Sequence, residues 1–216
     1  MSNAVDDQTT VDEEQYYHDA QLGAIWSASR TLIAVISTLF GGLLFAYFYL
    51  RSLNSHGLWD PNNLKASFLM GTVITVFVVA SAVIVQVANR RLRKGLTFDW
   101  QVGSGVALGL GVLAGLFQIW EMTRLPFLPG QSGYAGIYVA SGPVYAIVVL
   151  GSMYWLETLL ARSIRSRKAA MQDGGIGVSK QPSAENFRAS LDGFTVYWTY
   201  FSAISIVLWY LLYVLK

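Results

Sequence analysis

The chain has 216 residues, 54% of them hydrophobic and 13% charged, with positive mean hydropathy and a formal net charge of +2. A soluble domain carries about 25% charged residues, so this composition points to a membrane protein, and so small a charge excludes a nucleic-acid partner. Cysteine is absent and the two histidines, His18 and His56, lie outside the apolar runs, which excludes disulfides, thiolate metal sites and a histidine-ligated haem or copper inside a bilayer.

The first 21 residues form an acidic polar segment with Asp6, Asp7, Asp12, Glu13, Glu14 and Asp19. That is the reverse of a basic stretch leading into the apolar run of a secretory signal, and the segment is expected to be a solvated tail. Residues 22–216 then read as a single all-α membrane domain. A span needs about 20 mainly apolar residues, and five stretches qualify, at about 27–50, 66–88, 101–122, 135–161 and 193–215. The longest link, 162–192, contains "QDGGIGVSKQPSAEN", with the Gly, Pro and polar content of a loop.

Lysine and arginine set the orientation. The links after spans two and four hold Arg90, Arg91, Arg93, Lys94, Arg162, Arg165, Arg167, Lys168, Lys180 and Arg188, against Arg51, Lys65, Arg124 and Lys216 on the other side. The positive-inside rule therefore places the N-terminus and the 162–192 link in the cytoplasm and the C-terminus outside. Trp59, Trp100, Trp120, Trp155 and Trp198 lie near span ends and are expected in the headgroup belt.

Span three, "QVGSGVALGLGVLAGLFQIWEM", contains two GxxxG spacings, Gly105/Gly109 and Gly111/Gly115. Lipid is as apolar as leucine, so helices associate by close approach at small residues, and these four glycines are expected to pack against neighbours. The stretch has no lysine and lies within an apolar span, so it is not a nucleotide loop. Intramembrane polar groups are few: Glu121, Glu157, Gln86 and Gln118. Gln118 and Glu121 lie one helical turn apart and are expected to make an interhelical polar contact, with Glu121 also pairing with Arg124 at spacing i,i+3. Glu157, one turn before Arg162, is expected to be an interfacial carboxylate that snorkels to the headgroups. Two acids near opposite faces do not make a relay across a core about 30 Å thick, and no HExxH, Walker loop or nucleophile elbow is present.

Several stretches together resemble a known family. "FGGLLFAYFYLRS" is similar to the aromatic FAxYFxLR ending of a first span, and "WDPNNLKASFLM" to a Pro/Asn entry into the next helix, which ends in the basic run "NRRLRKG". "LGVLAGLFQIWEM" is similar to an LGxxFxxxQxxE signature with Gln118 and Glu121 on the matching positions, and "FTVYWTYFSAISIVLWYLLY" to a closing YWHFVDxVW helix. In order and spacing these resemble subunit III of the haem-copper oxidases, from about residue 22 to the end. Ile36 stands at the family's glutamate position, Val144 and Ile147 at its histidine positions, and Thr199 and Ser202 at its closing His and Asp. The five spans match the quinol-oxidase form and not the seven-helix cytochrome c oxidase form.

The resemblance implies a non-catalytic accessory subunit in a bacterial-type inner membrane, packed beside oxidase subunits I and II of the aerobic electron-transport chain. Oxygen reduction and proton translocation would belong to the complex. Haem and copper would reside in the partner subunits, phospholipid would be a further associate, and this chain itself would bind no cofactor. With Ile36 in place of the glutamate, stabilisation of subunit I carries over more directly than support of proton uptake. The alternatives are a nitric oxide reductase accessory subunit, which shares the resemblance, and a small multipass transporter or channel. Against the latter, there is no inverted repeat, no pair of Pro-broken helices and no midplane charge.

Overall fold

A computed structural model describes residues 3–53, 57, 59, 65–172 and 182–215, with the backbone alone for 3–12, 14, 167–172 and 182–184. His56, the segment following Trp59 and Lys180 lie outside the described residues. Five α-helices run in order: α1 (Asn3–Ser52), α2 (Phe68–Arg93), α3 (Thr97–Met122), α4 (Gly133–Gln172) and α5 (Pro182–Trp209), the last continued by a π-helical end, Tyr210–Leu215. All five are long and apolar enough to cross a membrane, and no strand occurs among the described residues.

Two helices exceed the expected spans. At 1.5 Å per residue the 50 residues of α1 extend for about 75 Å, far beyond a hydrocarbon core of about 30 Å. The acidic segment is helical because no Gly or Pro interrupts residues 3–22. The basic stretch after residue 161 likewise continues α4 to Gln172, and α5 begins at Pro182, a residue tolerated in the first helical turn. The extension of α1 meets the start of α5: His18 Nε2 lies 3.4 Å from Glu185 Oε2, and Asn186 Nδ2 donates to Gln21 Oε1 at 3.0 Å.

Helix α5 is central, packing on α1, α2 and, less extensively, α4, while α3 bridges α2 and α4. The α2–α3 hairpin closes tightly. Gly95 takes φ +85°, a conformation that a side chain would strain, and Arg91 pairs with Asp99 at 2.7 Å across the turn. Midway along the bundle, Trp198 Nε1 donates to Ser81 Oγ at 3.1 Å and Ser81 donates to the Ala107 carbonyl at 2.8 Å, linking α5, α2 and α3. Trp198 and Trp100 are 0% exposed. These two rings, with Trp59 at 6%, are core and not belt residues. Their aromatic neighbours, Phe201 and Phe194 for Trp198 and Phe187 for Trp100, offer more contact area than lipid does. Trp120 is the exposed ring, at 46%.

The two GxxxG pairs separate. A methyl group at Gly111 would overlap Met153 of α4, and one at Gly115 would lie 2.6 Å from Leu150 Cδ2, so this pair forms the α3–α4 crossing. A methyl at Gly105 or Gly109 would meet nothing within 4 Å. Those two make no close helix approach among the described residues, unlike Gly111 and Gly115. Gly115→Ala is expected to destabilise the detergent-solubilised protein by about 1–3 kcal/mol. Gly109→Ala should be neutral or slightly stabilising, since alanine is the better helix former; equal melting temperatures for the two variants would refute this assignment.

Candidate functional site

A cluster of buried polar groups gathers at the end remote from the arginine-rich links. On α3 the buried stripe Gly111, Ala114, Gly115, Gln118, Glu121 repeats at three- and four-residue spacing, so Glu121 faces inward and is only 4% exposed. Its Oε2 accepts a hydrogen bond from Tyr213 Oη at 3.0 Å. Tyr213 Oη and Tyr138 Oη are 2.7 Å apart; with the Tyr213 proton committed to the carboxylate, Tyr138 is the donor. A chain of hydrogen bonds thus runs from α4 through the π-helical end of α5 to α3. Glu121 Oε1 is buried with no hydrogen-bond partner among the described residues.

The π-helical end supplies further acceptors. The last carbonyls of any helix lack intrahelical donors, and the i to i+5 bonding of a π turn leaves one more free than α bonding does. Tyr47 of α1 donates to the Leu211 carbonyl at 3.0 Å, and Tyr134 of α4 to the Leu212 carbonyl at 3.1 Å. Each hydroxyl also accepts: Arg51 Nη1 donates to Tyr47 at 2.8 Å, and the Ala66 amide to Tyr134 at 3.4 Å. Trp59 packs edge-on against Tyr47 with centroids 5.1 Å apart, and its carbonyl accepts from the Tyr134 amide at 3.1 Å. The first link is thereby drawn into the same cluster. Gly71 of α2 admits the Tyr213 ring, which a β-carbon there would overlap.

Next to this network lies a cavity of about 30 Å³ lined by Gln118, Tyr138, Tyr213, Tyr145, Ser205 and Thr75, among others. Its lining is mostly apolar but includes these polar side chains, and it is large enough for one or two waters. Gln118 and Glu121 therefore share one buried face, with Gln118 at the cavity and Glu121 bonded to Tyr213. Glu121 does not pair with Arg124, whose guanidinium lies over the Trp120 ring at 5.2 Å. The turn from Glu121 to Arg124 is kept, with the Arg124 amide donating to the Glu121 carbonyl at 2.9 Å, but the Glu121 side chain faces the bundle interior and that of Arg124 is exposed. Glu157 is exposed on α4 with no ion-pair partner among the described residues. Ile36 is 3% exposed within the apolar core; Val144 packs against that core, and Ile147 is 70% exposed.

This arrangement contains hydroxyls, one carboxyl group and water-sized space. Among the described residues no cluster of three His, Cys, Asp or Glu side chains is placed to hold a metal ion. The chemistry available is hydrogen bonding between helices and to trapped water. Tyr47, Tyr134, Tyr138, Tyr213 and Gly71 were not singled out from sequence. For the tyrosines the signal lay in their repetition at the end of the first span, in "FAYFYL", at the end of the last, in "WYLLYVL", and at the start of the fourth, in "GYAGIYV". No protein-family model matches this chain, and no curated protein matches it.

Tyr47→Phe and Tyr134→Phe each free one carbonyl of the π-helical end and are expected to lower stability by about 0.5–1.5 kcal/mol in detergent melts. Gly71→Ala, which displaces the Tyr213 ring, should lower it by about 1–3 kcal/mol. Wild-type melting of Gly71→Ala would refute the ring placement.

Proposed function

We propose that this chain is a non-catalytic accessory subunit of a respiratory haem-copper terminal oxidase, similar to subunit III, whose role is to stabilise the catalytic subunit. The supporting observation is that two stretches carrying the resemblance meet in space. Glu121, at the glutamate of "LGVLAGLFQIWEM", bonds to Tyr213 in the closing helix. A signature carboxyl group that ties one helix to another suits a subunit whose contribution is a rigid surface. Electron transfer and oxygen chemistry would be carried by metal-bearing partner subunits in the same membrane.

The stabilising role is preferred to a proton-collecting one on a specific ground. Ile36 occupies the family's glutamate position and is sealed in the core beside Phe40, so no titratable group stands there. Under this reading the arginine-rich end is cytoplasmic and the tyrosine cluster lies towards the outer face of a bacterial-type inner membrane.

The test is affinity purification of the full chain in mild detergent, with a reduced-minus-oxidised haem spectrum and the masses of copurifying subunits. A haem signal together with a large multi-span partner is expected. A colourless, solitary protein under conditions that preserve other respiratory complexes would overturn the reading.

A further inference from the structure

At the arginine-rich end, side chains of α2 and α5 line an open groove that the tyrosine cluster does not involve. Residues 86, 89, 90 and 93 share one face of α2, and 188, 192, 195, 196 and 199 one face of α5. The groove has two recesses that meet at Asn89 and Arg93. One, of about 470 Å³, is lined by Gln86, Arg90, Thr195, Val196, Thr199 and Tyr200 in addition; the other, of about 280 Å³, reaches Arg188 and Asp192.

A ladder of polar ties forms the floor. Arg93 Nη2 donates to Asp192 Oδ1 at 2.9 Å, Asn89 Nδ2 donates to Asp192 Oδ1 at 2.8 Å and to Thr195 Oγ1 at 3.2 Å, and Gln86 Nε2 donates to Thr199 Oγ1 at 2.8 Å. From Arg93 to Gln86 the ladder descends about 10 Å along α2, from the basic rim into the apolar span. The groove is lined by three guanidinium groups, of Arg90, Arg93 and Arg188, and one carboxylate, Asp192. The pairing of Arg93 with Asp192 leaves Arg90 and Arg188 exposed and without an ion-pair or hydrogen-bond partner among the described residues. Below the rim, Val196 is 53% exposed and Tyr200 half-buried.

We propose that this groove binds one acidic phospholipid of the leaflet at the basic end. Cationic groups at the rim match a lipid phosphate that no headgroup cation neutralises, and the ladder lies at the depth of the glycerol esters. Apolar side chains continue along the path of an acyl chain. The leaflet on the arginine-rich side of a membrane protein is the one in which acidic lipids are drawn to such clusters. The inference does not depend on the oxidase reading.

The test uses the full-length chain, purified in mild detergent and equilibrated with mixed micelles of equimolar phosphatidylglycerol and phosphatidylcholine, with retained lipid counted by native mass spectrometry. Wild type is expected to retain one phosphatidylglycerol per chain in clear preference to phosphatidylcholine. Arg90→Gln, which breaks no contact within the chain, should retain it about fivefold more weakly, the effect of one arginine at an anionic surface. Arg165→Gln, exposed on α4 away from the groove, should behave as wild type. If Arg90→Gln melts at a lower temperature than wild type, Arg188→Gln decides in its place. Equal retention of the two lipids, equal loss in Arg165→Gln, or displacement of the lipid by millimolar inorganic phosphate would overturn the proposal.

Discussion

Within a bilayer, a polar group that finds no partner in the protein finds none at all, and that constraint governs this chain most visibly at the end of α5. The π-helical segment Tyr210–Leu215 ends with free carbonyls, and α3 brings a carboxyl group, Glu121, beside them. Left open to hydrocarbon, each would cost several kcal/mol. Tyrosines are suited to the repair because one hydroxyl both donates and accepts while the ring contributes apolar contact. Tyr47, Tyr134 and Tyr213 use this property, and Tyr138 donates to Tyr213. The result is a junction at which α1, α4 and the end of α5 are joined to α3 and the first link is pinned through Trp59.

The remainder of the bundle divides the work by depth. In the middle, close approach dominates: glycines of α3 receive Met153 and Leu150 of α4, and Trp198 reaches across to Ser81. At the basic end, ion pairs appear where water and headgroups make them cheap, in Arg91–Asp99 and Arg93–Asp192. Exposed pairs of this kind contribute little to stability individually. They orient the helix ends and leave other arginines facing outward. A protein organised this way presents an apolar flank with polar fastenings at its two rims.

Much of the fold could be read in the sequence because a membrane enforces one rule on every span. Length and apolarity sufficed for the five helices, and the cost of a buried carboxylate was enough to single out Glu121. The partners of Glu121 were not legible. Tyr213 lies 92 residues away, and no local period encodes that meeting; it depends on Gly71 leaving room for the ring on a third helix. Trp100 and Trp198 were misjudged for a related reason. Proximity to a span end is compatible with either headgroup or core, and only the neighbouring aromatic rings decide. Helix ends were understated at residues 3–21 and 162–172, since hydropathy stops at the membrane surface whereas backbone hydrogen bonding does not.

The most direct measurement of the tyrosine–carboxyl junction is a double-mutant cycle on Glu121→Ala and Tyr213→Phe, read as unfolding free energy of the full chain in mild detergent. Interhelical polar pairs in membranes are worth about 0.6 kcal/mol on average and up to about 1.7 kcal/mol, and this buried pair should couple by about 1 kcal/mol. Independent sites add to within about 0.5 kcal/mol; strict additivity of the two substitutions would mean that the Glu121–Tyr213 bond does not hold this end of the bundle together.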